Sequence, residues 1–212
     1  MLQYKESLPA WVKELRKVWN REDLYFMPVM LPAFGKMIHK GGQSMDIDHP
    51  GARSWAWMRE SQLGILNLPN TGVATTIDLG DVKNIHPRDK KDIGRRLTHL
   101  ALYNIHKQAV LPQGPTFKKA EFSKSSAIIH FDHAEGMKTN DSNAIKGFWI
   151  AGEDKVWHNA TAEIKGNSIA LNSPKVTTPV AVRYAFAGFP EVNLINKDNL
   201  PAMPFRTDMW AP

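Results

Sequence analysis

Residues 72–102 read GVATTIDLGDVKNIHPRDKKDIGRRLTHLAL, and this stretch sets the fold expectation for the first half of the chain. Val73, Thr75, Ile77 and Leu79 alternate in a short β-branched run, the patterning of a strand. Ile93, Leu97, Leu100 and Ala101 recur at helical spacing. Pro87 suits the first turn of that helix, where a missing N–H costs nothing, and the helix is expected to reach about His106. Asp78, Asp81, Asn84 and His86 fall between the two elements, at the carboxyl end of the strand. Open α/β sheets hold their ligands and chemistry at that end. A histidine beside carboxylates has the make-up of a general base: it accepts a proton near neutral pH, and an acid favours the imidazolium.

Upstream, Ser7 and Pro9 read as the start of a helix. Leu8, Trp11, Val12, Leu15, Val18 and Trp19 form its apolar stripe, with the tryptophans expected in the core. Leu24–Leu31 is a continuous apolar run of the kind a strand buried on both faces shows, although Pro28 argues against a central strand. Pro32–Pro50 reads as a loop. Ala52, Trp55, Ala56, Arg59, Leu63 and Leu66 lie on one side of a helix ending before Pro69. Residues 1–110 thus alternate helix, strand, helix, strand, helix, as part of a parallel α/β sheet does.

From Leu111 the helical periodicity stops. Short β-rich runs appear at Ser126–Phe131, Gly147–Ala151, Ser168–Leu171 and Val180–Phe186, separated by turn residues such as Gly136 and Gly166-Asn167. Strands at this spacing predict an antiparallel sandwich over 111–212. The last stretch, from Gly188, is expected to wrap back as ordered coil anchored by Leu194, Leu200, Phe205 and Trp210.

Composition narrows the classes. The chain has 212 residues, 42% hydrophobic and 23% charged, enough to bury a core. It has no cysteine, so disulfides, thiolate chemistry and Cys-based zinc sites are excluded. No apolar run is long enough for a membrane-spanning helix, and the N-terminus MLQYKESLPAW lacks the pattern of a secretory signal. The net charge of +6 comes from Lys and Arg interleaved with acids, without the aromatic-spaced basic run that nucleic-acid binding would call for. His130, Asp132 and His133 do not read as a metal site: strand alternation sets His133 on the opposite face, and side-chain hydrogen bonding is expected instead.

The wording T-I-D-L-G-D-x-x-N-I-H-P-R-D-K-x-D-I-G-R-R-L (residues 76–97) closely resembles the Asp/His block of the sialate O-acetylesterases, carbohydrate esterases of the SGNH-hydrolase superfamily. The run W-x-x-M-R-E-S-Q-L (55–63), the segment Asn70-Thr71-Gly72 and the ending LPAMPFRTD (200–208) resemble the same family, so the likeness covers nearly the whole chain. It implies an SGNH-type parallel α/β domain at 1–110, a β-rich region after it, and an acetylated carbohydrate substrate. No metal or organic cofactor is implied. Relatives are often periplasmic, secreted or lysosomal, and the compartment of this chain stays open.

The resemblance also implies a serine nucleophile, a histidine base and an oxyanion hole that includes an Asn. His86 matches the base. The family's Gly-Gln-Ser-Asn-Met and Trp-Tyr-Gln-Gly-Glu-Ser-Asn segments are absent, so the chain is expected to be the C-terminal half of such an enzyme, inactive alone and in need of the half carrying the serine. Gly42-Gln43-Ser44-Met45 looks like the nucleophile motif but lacks its Asn, and no buried strand precedes it. Ser44 is read as coincidence, with a self-contained hydrolase built on it the third possibility. In many SGNH enzymes an Asp stands three residues before the His; here that residue is Lys83, and Asn84 occupies a place where many relatives have Asp. Asp81 is the first choice of partner for His86, and Asp78 the second. The alternative of another class is a non-catalytic carbohydrate-binding or interaction module, with Trp149, Trp157 and Tyr184 available for stacking on sugars.

Overall fold

A computed structural model describes residues 2–35, 38–40, 43–45, 49–50 and 55–211. Helix α1 (Leu2–Val18) begins well before Ser7. Pro9 therefore sits inside the helix rather than in its first turn. A proline there gives no N–H to the Lys5 carbonyl, and the backbone of Gly64 packs against that oxygen: a Cβ on Gly64 would lie 2.7 Å from it. The helix ends at Asn20, whose left-handed φ of 49° lets Arg21 N–H reach back to the Arg16 carbonyl.

Leu8 and Val12 of α1 are buried with Met30, Ile65, Val73 and Met203. Trp11 and Trp19 are not in that core. They are 56% and 59% exposed, because the buried stripe runs through Leu8, Val12 and Arg16 instead. Arg16 is buried because its guanidinium donates to the carbonyls of Leu24, Pro69 and Asn70, pinning α1 to the starts of two extended segments.

Those segments, 24–30 and 70–76, run parallel. Phe26 N–H donates to the Asn70 carbonyl and the Phe26 carbonyl accepts from Gly72 N–H; Ala74 N–H donates to the Pro28 carbonyl, and Met30 N–H to the Ala74 carbonyl. The pairing amounts to two isolated bridges, Phe26–Thr71 and Val29–Ala74, rather than the two full strands expected. The reason is Pro28: the ladder alternates through residues 26, 28 and 30, and proline has no N–H for its rung. All named sheets are antiparallel, so parallel pairing among the described residues is confined to these bridges and the architecture is mixed α/β.

The expected loop after Pro32 holds a small hairpin, β1 (Ile38–Lys40) with β2 (Gln43–Met45), in which Ser44 pairs with His39. Ala52 lies outside the described residues. Helix α2 (Ala56–Gln62) continues as a 3-10 turn (Leu63–Asn67), and α3 spans Lys90–Asn104. Pro87 precedes α3 rather than opening it; the cap is Asp89, whose side chain accepts from Asp92 N–H.

The second half follows the sandwich expectation. Strands β3 (Thr116–Phe122), β4 (Ala127–Asp132), β8 (Thr161–Lys165) and β9 (Ser168–Asn172) form one sheet in the order β3-β4-β9-β8. Strands β6 (Phe148–Ala151), β7 (His158–Asn159), β10 (Ala181–Tyr184) and β12 (Phe205–Arg206) form the other in the order β12-β10-β6-β7. Two short strands, β5 (Lys138–Thr139) and β11 (Leu194–Ile195), pair apart from both. Alternate residues of the two large sheets, including Ile129, Phe131, Ile169, Leu171, Phe148, Ile150 and Tyr184, share one core. Leu194, Leu200 and Phe205 of the tail are buried, and Trp210 packs on Trp157 at 5.4 Å.

Tyr184 and Trp157, offered above for sugar stacking, are buried in the protein's own packing and cannot present a ring to a ligand. His130 hydrogen-bonds Ser168 Oγ through Nδ1 at 2.8 Å, and Asp132 pairs with Lys118.

Candidate active site

The two parallel segments end side by side. One runs into Leu31–Gly35, the other into the loop 78–89. They touch at Gly80, where a Cβ would lie 1.9 Å from the Ala33 carbonyl oxygen, so only glycine fits without moving backbone.

Two side chains hold the first of these ends, and both come from the α2 run that resembles the family. Gln62 accepts from Leu31 N–H and donates to the Val29 carbonyl. Arg59, fully buried, donates to the carbonyls of Pro32, Ala187 and Gly188, and burial pushes its guanidinium down to about 9. Glu60 pairs with Arg206 of β12. Sequence reading placed Arg59 on an apolar helix face without seeing its role; a charge on such a face was the available signal.

The second end is fixed by Arg96 of α3. Its guanidinium meets the Asp78 carboxylate in a two-pronged pair at 2.7 and 2.6 Å and donates to the Thr75 carbonyl. From there the loop is wound by its own acids and amides. Asp81 Oδ1 accepts from Lys83 N–H at 2.7 Å and Asn84 N–H at 3.2 Å. Asn84 Oδ1 then accepts from His86 N–H at 2.9 Å, and Asp89 caps α3. Such side-chain-to-backbone turns give a loop a shape that its lack of ladder bonds would otherwise deny it. Pro87 is buried and His86 exposed.

Asp81, Asn84 and His86 therefore share one wound loop at the carboxyl end of the parallel pair. The loop does not join the Asp81 carboxylate to the His86 ring: among the described residues that ring has no hydrogen-bond or ion-pair partner. Asp78 is held by Arg96 and likewise does not reach it. Asp81 Oδ2 has no partner among the described residues, which leaves one oxygen of that carboxylate available. Ser44 stands in the β1–β2 hairpin, not at a strand-to-helix turn of the kind that exposes a nucleophile beside oxyanion donors. Asp78 also lines a separate open cleft of about 670 Å³, with Arg95, Arg96, His99, Asn140 and Asp198 among others; His86 is not among its lining residues.

No family model matches the sequence, and no curated protein matches it either. A solved structure does. The crystal structure of a carbohydrate acetylesterase from Xanthomonas citri superposes with a TM-score of 0.87 at 37% sequence identity, over 99% of this chain and 47% of that one. The chain thus spans about half the length of the structure it matches. Over nearly its whole length, this protein is similar in sequence and in fold to half of a carbohydrate acetylesterase.

Proposed function

We propose that this chain is the Asp/His-bearing half of a serine carbohydrate O-acetylesterase, with residues 1–110 belonging to the esterase domain and 111–212 forming the β-rich region beside it. The observation that carries the reading is the likeness to a carbohydrate acetylesterase at 37% identity across 99% of the chain. The wound His86 loop at the end of the parallel pair supports it. Removal of an acetyl group from a sugar hydroxyl, sialate or another acetylated carbohydrate, is the proposed reaction, and the half carrying the serine is the proposed partner.

In that reaction the serine hydroxyl of the other half attacks the acetyl carbonyl while His86 takes its proton. The imidazolium then gives that proton to the departing sugar oxygen, leaving an acetyl-serine. Water then attacks the acetyl-serine as His86 takes its proton; the bond from the acetyl carbon to the serine oxygen breaks, the imidazolium returns the proton to that oxygen, and acetate is released. N–H donors stabilise the negative oxygen in both steps. Asp81 is the proposed orienting carboxylate, because Oδ1 is fixed by the loop amides and Oδ2 is left to meet the ring. Asp78 is less suited, since Arg96 engages both of its oxygens.

Carboxylate substitutions in the reconstituted enzyme separate these roles. Asp81→Asn should lower kcat by about 10-fold or more with little change in KM. Asp78→Asn should act mainly on stability, through the lost pair with Arg96. The reverse ranking of kcat effects would transfer the orienting role to Asp78.

A further inference from the structure

We propose that the cleft between α3 and the turn 196–200 is a binding subsite for the neutral sugar units of an oligosaccharide, set beside the loop that carries His86. The proposal deepens the esterase reading above and rests on it.

The walls of the cleft are tied to each other by the chain's own bonds. On one side α3 presents Asp92, Arg95, Arg96 and His99; on the other stand Asn140, Ile195, Asp198 and Asn199. Arg95 spans the two. It pairs with Asp92 at 3.1 Å and donates to the Asp198 and Asn199 carbonyls at 3.0 and 3.2 Å. Asn196, buried, shapes the turn: its Oδ1 accepts from Asp198 and Leu200 N–H, and its Nδ2 donates to the Gln113 and His133 carbonyls. Groups fixed in this way lose little freedom when a ligand binds.

What the walls leave unused points to the ligand. Asp92 Oδ2, the Asp198 carboxylate and the side-chain amides of Asn140 and Asn199 make no hydrogen bond among the described residues. His99 Nδ1 lies 2.9 Å from the Leu111 carbonyl. A carbonyl only accepts, so in the neutral ring Nδ1 carries the proton and Nε2 is left as an acceptor. Acceptors and amide donors together are what hydroxyl groups require, since each hydroxyl both donates and accepts. Charge argues against other ligands. Arg96 is engaged by Asp78 and the Thr75 carbonyl, and Arg95 by Asp92 and two carbonyls. A phosphate or carboxylate would have to displace those partners and would face Asp92 and Asp198. Among the described residues no group of three His, Asp or Glu side chains is placed to hold a metal ion.

Size and position agree with an oligosaccharide. The cleft's volume of about 670 Å³ falls within the range of about 300–1,000 Å³ typical of small-molecule sites. It lies where the helical half meets the β-rich half, and junctions of that kind are where such sites concentrate. Asp78 lines the cleft and also opens the loop that Asp81 and Asn84 wind around to His86. A sugar chain seated in the cleft would thus run toward the acetylated unit at His86.

The test uses xylotriose, cellotriose and mannotriose, neutral and unacetylated, with inorganic phosphate as the anionic comparison. Titrated into the isotope-labelled 212-residue chain, at least one trisaccharide should shift the amide resonances of Asp92, His99, Asn140 and Asn199 with a Kd of about 1 mM or tighter, and phosphate should not. His99→Ala and Asn140→Ala should each weaken that binding by about fivefold or more, while Phe122→Glu, on an exposed apolar residue of β3, should leave it unchanged. The same spectra report whether each variant is folded. No binding of any of these trisaccharides, shifts confined to residues outside the cleft, tighter binding of phosphate at these amides, or saccharide binding lost when the portion of the Xanthomonas citri acetylesterase that this chain does not cover is added would each overturn the proposal. Hydrolysis by the enzyme completed with that portion separates the two readings. Saccharide binding in the cleft without release of acetate from an acetylated sugar leaves the subsite standing and overturns the esterase reading, and release of acetate with an unresponsive cleft does the converse.

Discussion

Replacing Asp208 with asparagine removes one charge from the most enclosed ion pair among the described residues. Arg183 donates to Asp208 through Nε and Nη2, both at 2.8 Å, and the two side chains are 4% and 2% exposed. Arg206 and Trp210 N–H also bond Asp208 Oδ1. Around the guanidinium stand Trp157, Phe186 and Trp57, with ring centres 4.5, 5.1 and 5.6 Å from its carbon. Arg183 thus has little water to turn to when its counter-charge is lost. Removing one partner of a buried pair costs about 3–5 kcal/mol. Asparagine keeps one carbonyl acceptor, so the lower end, about 3 kcal/mol, is expected, a fall in Tm of about 6–12 °C for a chain of this size. The pH dependence gives an independent check. Burial pushes the Asp208 carboxyl up, but the Arg183 hydrogen bonds and the charges of Arg183 and Arg206 outweigh it and hold the group below the usual carboxylate range. A depressed folded value means that the carboxylate contributes stability above about pH 4 and loses it as pH falls through the folded value. Urea unfolding of wild type and Asp208→Asn should therefore differ by about 3 kcal/mol at pH 7 and converge toward pH 2. A difference under about 0.5 kcal/mol at pH 7, or one that does not shrink in acid, would refute the reasoning.

Gly80→Ala should destabilise by about 1–3 kcal/mol or more, because the new methyl meets the Ala33 carbonyl and one of the two chain ends must move; thermal unfolding checks this. The chain alone should hydrolyse p-nitrophenyl acetate no faster than an imidazole control, since a triad enzyme without its nucleophile keeps only a small part of its rate; turnover abolished by Ser44→Ala would show instead that the chain carries its own nucleophile.

The β-rich half was legible because alternation is a local signal. Ile129 and Phe131, or Ile169 and Leu171, mark the same face wherever the partner strand lies. Strand β10 is the instructive exception. All four of its residues are buried, Arg183 among them, because Asp208, distant in sequence, supplies the counter-charge. The first half was less legible because its packing is set by long-range partners. Nothing local distinguishes Trp11 from Val12, but only Val12 faces the chain's own core. Likewise Leu24–Leu31 has strand composition, yet Pro28 leaves its pairing with the parallel segment 70–76 as isolated bridges. At the candidate site the sequence placed His86 and Asp81 on one loop at the end of a strand-like segment. It missed that Asp81 and Asn84 wind that loop, and that Arg96 takes Asp78. The run at 55–63 and the ending at 200–208 meet in space through Glu60 and Arg206, a contact invisible along the chain.

The most direct test of the function proposed for this chain is kcat for His86→Ala on an acetylated sugar, measured with the serine-bearing half supplied in cis or in trans. If His86 is the general base, kcat should fall by about 10³-fold or more with KM nearly unchanged, and kcat/KM of the unsubstituted enzyme should rise through an apparent pKa of about 6–7. A His86→Ala enzyme that keeps more than about a tenth of the wild-type kcat would contradict the role given to this loop.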